Sequence, residues 1–283
     1  MPQTPPFFLV LGNPIEHSKS PLIHSLFAKQ TGIEHVYDKA LVPLEHFDDF
    51  TLNFFKQAGK GANVTVPFKE QAFRLVDDHT NSALAAGAVN TIIKTKEGKL
   101  LGDNTDGYGL LCDLNEKKWI AEGSRILLLG AGGAAKGTIL PLLEYNTKVS
   151  IFNRTYQKAI EMVERFKGST YYQSDFGELN VLSLEDLTAE QSAFDIIINA
   201  TASSLSSEVL KLPGNVFNSQ TAFYDMFYAK TDTAFLAYYR DKGCNHLADG
   251  LGMLVYQAAL AFKAWHGVMP DAKQVLAQVK NVL

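Results

Sequence analysis

The sequence predicts an α/β fold in two domains, and three observations carry that reading. At 283 residues the chain exceeds what one hydrophobic core comfortably fills. Apolar runs of strand length alternate with segments of helical period from end to end, the pattern of largely parallel sheets covered by helices. Near the middle, "ILLLGAGGAAKG" carries a buried strand into a glycine turn and then a helix.

The first unit opens with "FFLVLG" followed by "SPLIHSLFAKQTG". Ser20 reads as an N-cap, Pro21 as the first helical residue and Gly32 as the residue just past the end. Asn63–Val66 and Ala88–Lys94 are further strand candidates. In "GANVTVPFKE" the polar–apolar alternation stops at Pro67, and Phe68, Ala72, Leu75 and Val76 then recur at helical spacing. Lys69 therefore falls in the first turn of a helix, where the macrodipole mildly opposes a cation. A lysine there needs a reason.

A second α/β series begins near Arg125, with strands "RILLLG", "KVSIFNR", "DIIINA" and "AFYDMFY". A final helix, Leu251 to His266, carries Leu251, Leu254, Val255, Ala258, Phe262 and Trp265 as one apolar stripe. No strand follows it, so it is assigned to the first domain. The expected division is residues 1–106 with 250–283, and residues 107–249, with a cleft between them.

Composition narrows the function classes. The chain has 26 basic and 30 acidic side chains, which gives no basic field for nucleic acid or an anionic membrane. Cys112 and Cys244 match no zinc or CxxC spacing and read as reduced thiols of a cytoplasmic protein. The start has no basic n-region, and the most apolar segment is short for a span and contains Gln257 and Lys263. No metal is expected, since the seven histidines form no HExxH or comparable pair. His17, His24 and His266 read as helix-end or surface polar residues.

Gly130, Gly132 and Ala135 fit the G-x-G-x-x-A form of the Rossmann fingerprint. The first glycine permits the tight turn, the second lets backbone approach a pyrophosphate, and the alanine lets helix pack on strand. The next strand ends in Asn153-Arg154-Thr155, followed by Lys158, where NAD-binding versions usually carry an acidic residue. Guanidinium, hydroxyl and ammonium suit a 2′-phosphate, so the expected cofactor is NADP.

Other positions are bland in isolation: Ser18 and Ser20 at a helix start, Thr65 in a strand, Asn90 as a buried amide, Asp106 as a cap. Their order along one chain is not. Ser18-x-Ser20, "NVTVPFK", "GAVNT", "GDNTDG", "GAGGAA", "NRT", "INAT", "YDMFY" and "ADGLGMLVYQA" together resemble the shikimate dehydrogenase family over nearly the whole chain. The resemblance implies an N-terminal α/β substrate domain completed by the C-terminal helix, and a Rossmann-type NADP-binding domain. It implies reversible reduction of 3-dehydroshikimate to shikimate by NADPH, in the formation of chorismate and aromatic amino acids.

It further implies that Ser18, Ser20 and Tyr228 hold the substrate carboxylate, and that Thr65, Asn90, Asp106 and Gln257 bind its ring hydroxyls or carbonyl. Lys69 and Asp106 are the implied catalytic pair. Gly130, Ala131, Gly132, Gly133 and Ala134, then Asn153, Arg154, Thr155 and Lys158, with Met226 and Gly250, are the implied cofactor residues. The small-molecule substrate is the only partner expected, with the chain a monomer or homodimer. After "INAT" the chain departs from the family pattern, continuing Ala202-Ser203-Ser204-Leu205.

Ketone reduction builds negative charge on oxygen, and a cationic proton donor beside it accounts for Lys69. Alcohol oxidation needs the neutral amine, so that direction is expected to gain with pH. Two other readings stand beside this one. A quinate/shikimate dehydrogenase preferring NAD is disfavoured by Arg154, and a non-catalytic shikimate-binding regulator by retention of both Lys69 and Asp106.

Overall fold

The computed structural model describes residues 7–173, 175–201 and 209–282. The Ala202–Leu205 departure lies outside them. The chain divides into two compact units, Met1–Gly109 with Leu254–Leu283, and Leu110–Met253.

The first unit is built on a six-stranded mixed sheet. Its strands are β1 (Phe7–Gly12), β2 (Val36–Leu41), β3 (Gly59–Val64), β4 (Asp78–His79), β5 (Thr91–Lys94) and β6 (Leu100–Asp103), in the order β2-β1-β3-β5-β6-β4. β1 is parallel to β2 and β3, whereas β5 runs antiparallel to β3 and β6. The helices are α1 (Ser20–Thr31), α2 (Phe47–Gln57), α3 (Lys69–Leu75) and α4 (Asn81–Ala86), and α11 (Ala272–Lys280) near the chain end. Two helices carry the chain between units, α5 (Asp106–Glu116) and α10 (Leu251–His266).

Successive residues of a strand face opposite ways, and β1 is buried on both faces. Leu9 and Leu11 enter a cluster with Phe47, Phe55, Val64 and Phe68. Phe8 turns the other way, onto His35, Trp265 and His266. Gly61 is what lets α10 approach this face. A Cβ there would stand 2.3 Å from the Trp265 ring nitrogen, which donates to the Ile92 carbonyl at 3.1 Å.

Several sequence boundaries shift. α1 starts at Ser20 with Lys19 as its cap, so Pro21 is its second residue, because Ser18 Oγ rather than Ser20 takes a backbone N–H there. β3 is Gly59–Val64 rather than Asn63–Val66, since the Thr65 carbonyl closes a turn onto the Phe68 N–H. β5 starts at Thr91, three residues later than expected; Ala88 and Val89 form the connection after α4. α10 has the expected limits but is not the last helix, since Asp271 caps α11 through the Gln274 N–H.

The second unit has a six-stranded parallel sheet: β7 (Arg125–Leu129), β8 (Lys148–Phe152), β9 (Glu178–Val181), β10 (Ile196–Asn199), β11 (Ala222–Asp225) and β12 (His246–Asp249). The order β12-β11-β10-β7-β8-β9 is the doubly wound Rossmann arrangement, with its switch point between β7 and β10. Helices α6 (Gly133–Glu144), α7 (Tyr156–Lys167), α8 (Leu184–Ala189) and α9 (Ala234–Asp241) connect the strands. The apolar runs "ILLL" and "III" are buried throughout, as strands covered on both faces require. Among the described residues no helix is long and apolar enough to cross a membrane.

Candidate active site

Two helix starts in the first unit bring the catalytic candidates together. The Thr65–Phe68 turn feeds α3 so that Lys69 is its first residue. After β6, Asn104 Oδ1 accepts the Asp106 N–H at 3.2 Å as α5 begins, while its amide donates to the Ala88 carbonyl. Lys69 Nζ then donates to Asp106 Oδ2 at 2.7 Å, with side chains 31% and 23% exposed. A pair so open to water adds on the order of 1 kcal/mol or less to stability. Its value is geometric: a cation and a carboxylate held in reach of a bound molecule.

Asn90 joins them. Its Oδ1 accepts from the Thr105 N–H at 2.9 Å and the Thr91 hydroxyl at 2.8 Å, which turns its Nδ2 toward Asp106 Oδ1 at 2.8 Å. Gln257, on α10, donates through Nε2 to the Leu254 carbonyl and presents Oε1 at 3.4 Å to Asn90 and Thr105. Lys69, Asn90, Asp106 and Gln257 therefore belong to one hydrogen-bonded set. The structure places Thr65 beside Gly12, outside that set. Ser20 is buried, and it and the Asn63 amide both interact with the Tyr37 hydroxyl, which donates to Asn63 Oδ1 at 2.7 Å.

In the second unit the glycine loop leaves β7 at the switch point. Gly130 has φ +112°, a conformation that requires glycine, and its N–H donates to the Phe152 carbonyl of β8. A Cβ added at Gly132 or Gly133 would meet nothing within 4 Å, so the loop face stands open at the start of α6. Ala135 is fully buried where helix meets strand. Beyond β8, Asn153 Nδ2 donates to the Thr155 carbonyl, and Arg154, Thr155 and Lys158 are exposed around the start of α7. Open glycines, a free helix N-terminus and two cations fit a phosphorylated dinucleotide.

At the end of β11, buried Asp225 accepts from Asn199 Nδ2, the Phe227 N–H and the Thr233 hydroxyl. The Met226–Tyr228 loop is pinned on its other side as well. The Gly250 N–H donates to the Phe227 carbonyl, and a Cβ at Gly250 would stand 2.2 Å from the Met226 carbonyl oxygen. Burial, and then the Asp249 carboxylate, raise the Tyr228 phenol above its usual range and keep it a neutral donor. A depression of about 590 Å³ runs instead along edge strand β9 from the amino ends of β7 and β8, and holds the ion pairs Arg125–Glu190 and Lys148–Glu178. Parallel sheets of this kind bind ligands at the carboxyl ends beside the switch point, here between β7 and β10, and neither the glycine loop nor β10 lines this depression.

Three family models match the chain: the shikimate dehydrogenase substrate binding domain over residues 10–92, shikimate / quinate 5-dehydrogenase over 113–209, and the shikimate 5'-dehydrogenase C-terminal domain over 250–280. Among solved structures, an Ael1 enzyme from Pseudomonas putida is 38% identical, with 96% of this chain and 97% of that one covered at TM-score 0.87. Shikimate 5-dehydrogenase from Thermus thermophilus, in complex with NADP(H) and shikimate, is 33% identical over 98% of this chain and 99% of that one, at TM-score 0.82. The chain belongs to the shikimate dehydrogenase family. The family member from Listeria monocytogenes, solved with shikimate and NAD, is 28% identical over 96% of each chain at TM-score 0.84. Shikimate dehydrogenases are oxidoreductases, and this chain has their two-part α/β architecture.

Some residues of the set were not singled out from the sequence. Thr91, Thr105 and Asn63 are buried and hydrogen-bonded to Asn90 or to its carbonyl. Asn63 and Thr91 sit inside "NVTVPFK" and "GAVNT", so the motifs that resemble shikimate dehydrogenases contained the signal. One of the histidines needs correction. His24 is fully buried inside α1, neither at a helix end nor on the surface; His266 does end α10 but is half-buried, and both pack with His35 on the α10 face of the sheet. Among the described residues no group of three or more His, Cys, Asp or Glu is arranged to hold a metal ion.

Proposed function

We propose that this chain is a shikimate dehydrogenase that reversibly reduces 3-dehydroshikimate to shikimate with NADPH, working in the cytoplasm as a monomer or homodimer. The observation that carries the reading is the 2.7 Å Lys69–Asp106 pair, with Asn90 and Gln257 converging on it. Residues 1–106 with 250–283 form the substrate-binding catalytic domain, and 107–249 the cofactor domain.

Ser18 and Ser20, with the neutral Tyr228 phenol, hold the substrate carboxylate. Thr65, Asn90, Asp106 and Gln257 engage its hydroxyls and carbonyl. When bound, NADPH supplies the hydride. Lys69 donates a proton to the carbonyl oxygen as charge develops there, and Asp106 keeps the ammonium aimed at it. In the reverse direction the neutral amine takes the hydroxyl proton. Gly130 through Ala134 receive the pyrophosphate at the α6 N-terminus, and Met226 and Gly250 shape the wall near the reacting ring. Arg154 and Lys158, with Asn153 and Thr155, receive the 2′-phosphate, which favours NADP over NAD.

Absorbance of NADPH on mixing the protein with shikimate and NADP tests this, with NAD and quinate in parallel. The expected result is turnover with shikimate and NADP and much less with either replacement. Turnover led by NAD or quinate would contradict it, as would binding of shikimate without turnover.

A further inference from the structure

Three histidines far apart in sequence form one chain in the first unit. His266 Nε2 lies 2.9 Å from His35 Nδ1, and His35 Nε2 lies 3.1 Å from His24 Nδ1. A neutral imidazole has one N–H and one lone pair, so both bonds must run in the same direction. The hydrogen therefore passes either from His266 toward His24 or back. His24 is completely buried, and its Nε2 has no hydrogen-bond partner among the described residues. Three apolar side chains would fill this space without that cost. Two hydrogen bonds through three rings do what apolar packing does not: they fix the plane of each ring.

The plane of His24 matters because Tyr37 lies flat on it, with ring centroids 3.9 Å apart and planes within 9°. Tyr37 belongs to β2, an edge strand with mostly exposed neighbours that offers little packing of its own. From this stack its hydroxyl donates to Asn63 Oδ1 at 2.7 Å. That donation anchors the oxygen end of the Asn63 amide, whose Nδ2 gives to the Thr91 hydroxyl at 3.1 Å and the Asn90 carbonyl at 3.2 Å. Thr91 Oγ1, having accepted there, donates to Asn90 Oδ1 at 2.8 Å. Asn90 Nδ2 is left facing Asp106. Each link has one polarity, fixed by the Asn90 carbonyl, which only accepts, and by the Thr105 N–H, which only donates; the tyrosine holds the far end of the chain in place.

We propose that Tyr37 is a positioning residue for the reaction, held by the His266–His35–His24 chain and acting through Asn63, Thr91 and Asn90 on Asp106. The proposal rests on the reading of Lys69 and Asp106 as the catalytic pair. It makes Tyr37 more than filling, since its hydroxyl and its stack have separable effects.

Tyr37→Phe keeps the stack and removes the hydroxyl; His24→Phe keeps an aromatic face and breaks the histidine chain. Two readouts apply to both variants and the wild type: side-chain amide resonances of Asn63 and Asn90 by NMR, and steady-state kinetics with shikimate and NADP. For Tyr37→Phe we expect both amides to shift and kcat to fall about tenfold to a hundredfold, the scale of a misplaced catalytic group. KM for NADP should stay within twofold and the thermal midpoint nearly unchanged. His24→Phe should move the same resonances, with a smaller loss of kcat. Unmoved amides in Tyr37→Phe would overturn the proposal. So would kcat within twofold of wild type despite moved amides. Failure of the functional reading is distinguished from these, because it appears in the wild type as absence of turnover while the amide readout remains.

Discussion

Acidification should unfold the first unit through its histidines, and the cost can be worked for one of them. Burial, followed by the neighbouring His266, pushes the His35 imidazole down to about 3. In the unfolded chain it titrates near about 6.5. The stability that neutral His35 confers is therefore complete above that value and is lost as the pH falls toward the folded value. Between pH 7 and 4.5 about two units of that window are crossed, at roughly 1.4 kcal/mol each, or about 2 kcal/mol after allowance for solvent screening. His24 shifts in the same direction, chiefly by burial. His35→Gln removes the titration while leaving a donor and an acceptor between His24 and His266. Urea unfolding read by Trp265 fluorescence, in a Trp119→Phe background so that only the first unit reports, gives the comparison. The wild type should lose about 2 kcal/mol more than His35→Gln between pH 7 and 4.5. Equal losses within about 0.5 kcal/mol would refute the reasoning, because carboxylate titration is common to both proteins.

Three further outcomes are expected. Asp106→Asn should lower kcat about a hundredfold and raise KM for shikimate, since it loses both the lysine's anion and an acceptor for the substrate; steady-state kinetics checks this. Arg154→Ala should raise KM for NADP about tenfold to a hundredfold, the scale of one lost charge-assisted contact, and leave NAD-linked turnover unchanged. Gly61→Ala places a Cβ 2.3 Å from the Trp265 indole and should displace its bond to Ile92. That should cost about 1–3 kcal/mol in urea unfolding and raise KM for shikimate, because Gln257 shares the displaced helix.

What the sequence disclosed follows physical range. The Rossmann sheet was legible because "ILLL" and "IIIN" are buried on both faces and Gly130 needs positive φ, all properties of contiguous residues. The α10 limits were legible because sixteen residues of apolar period outweigh one glutamine. β12 was missed because "HLAD" is short, and its side chains are exposed or only half-buried, so no apolar run marks it. The reversal of β5 against β3 was hidden for another reason: alternation tells that a strand is half-buried, not which way its neighbour runs. "NVTV" alternates perfectly, yet Thr65 and Val66 form the turn that delivers Lys69. The histidine chain was out of reach altogether, since residues 24, 35 and 266 meet only after β2 and α10 have packed on β1.

The central claim is that Lys69 moves the proton while Asp106 and Asn90 hold it in place. The most direct test is Lys69→Ala under saturating shikimate and NADP, with shikimate binding measured by calorimetry in the same preparation. The account predicts kcat reduced by at least about a thousandfold, with the dissociation constant for shikimate changed far less, because the interaction removed belongs mainly to the transition state. Turnover within about tenfold of wild type in a variant that binds shikimate normally would contradict it.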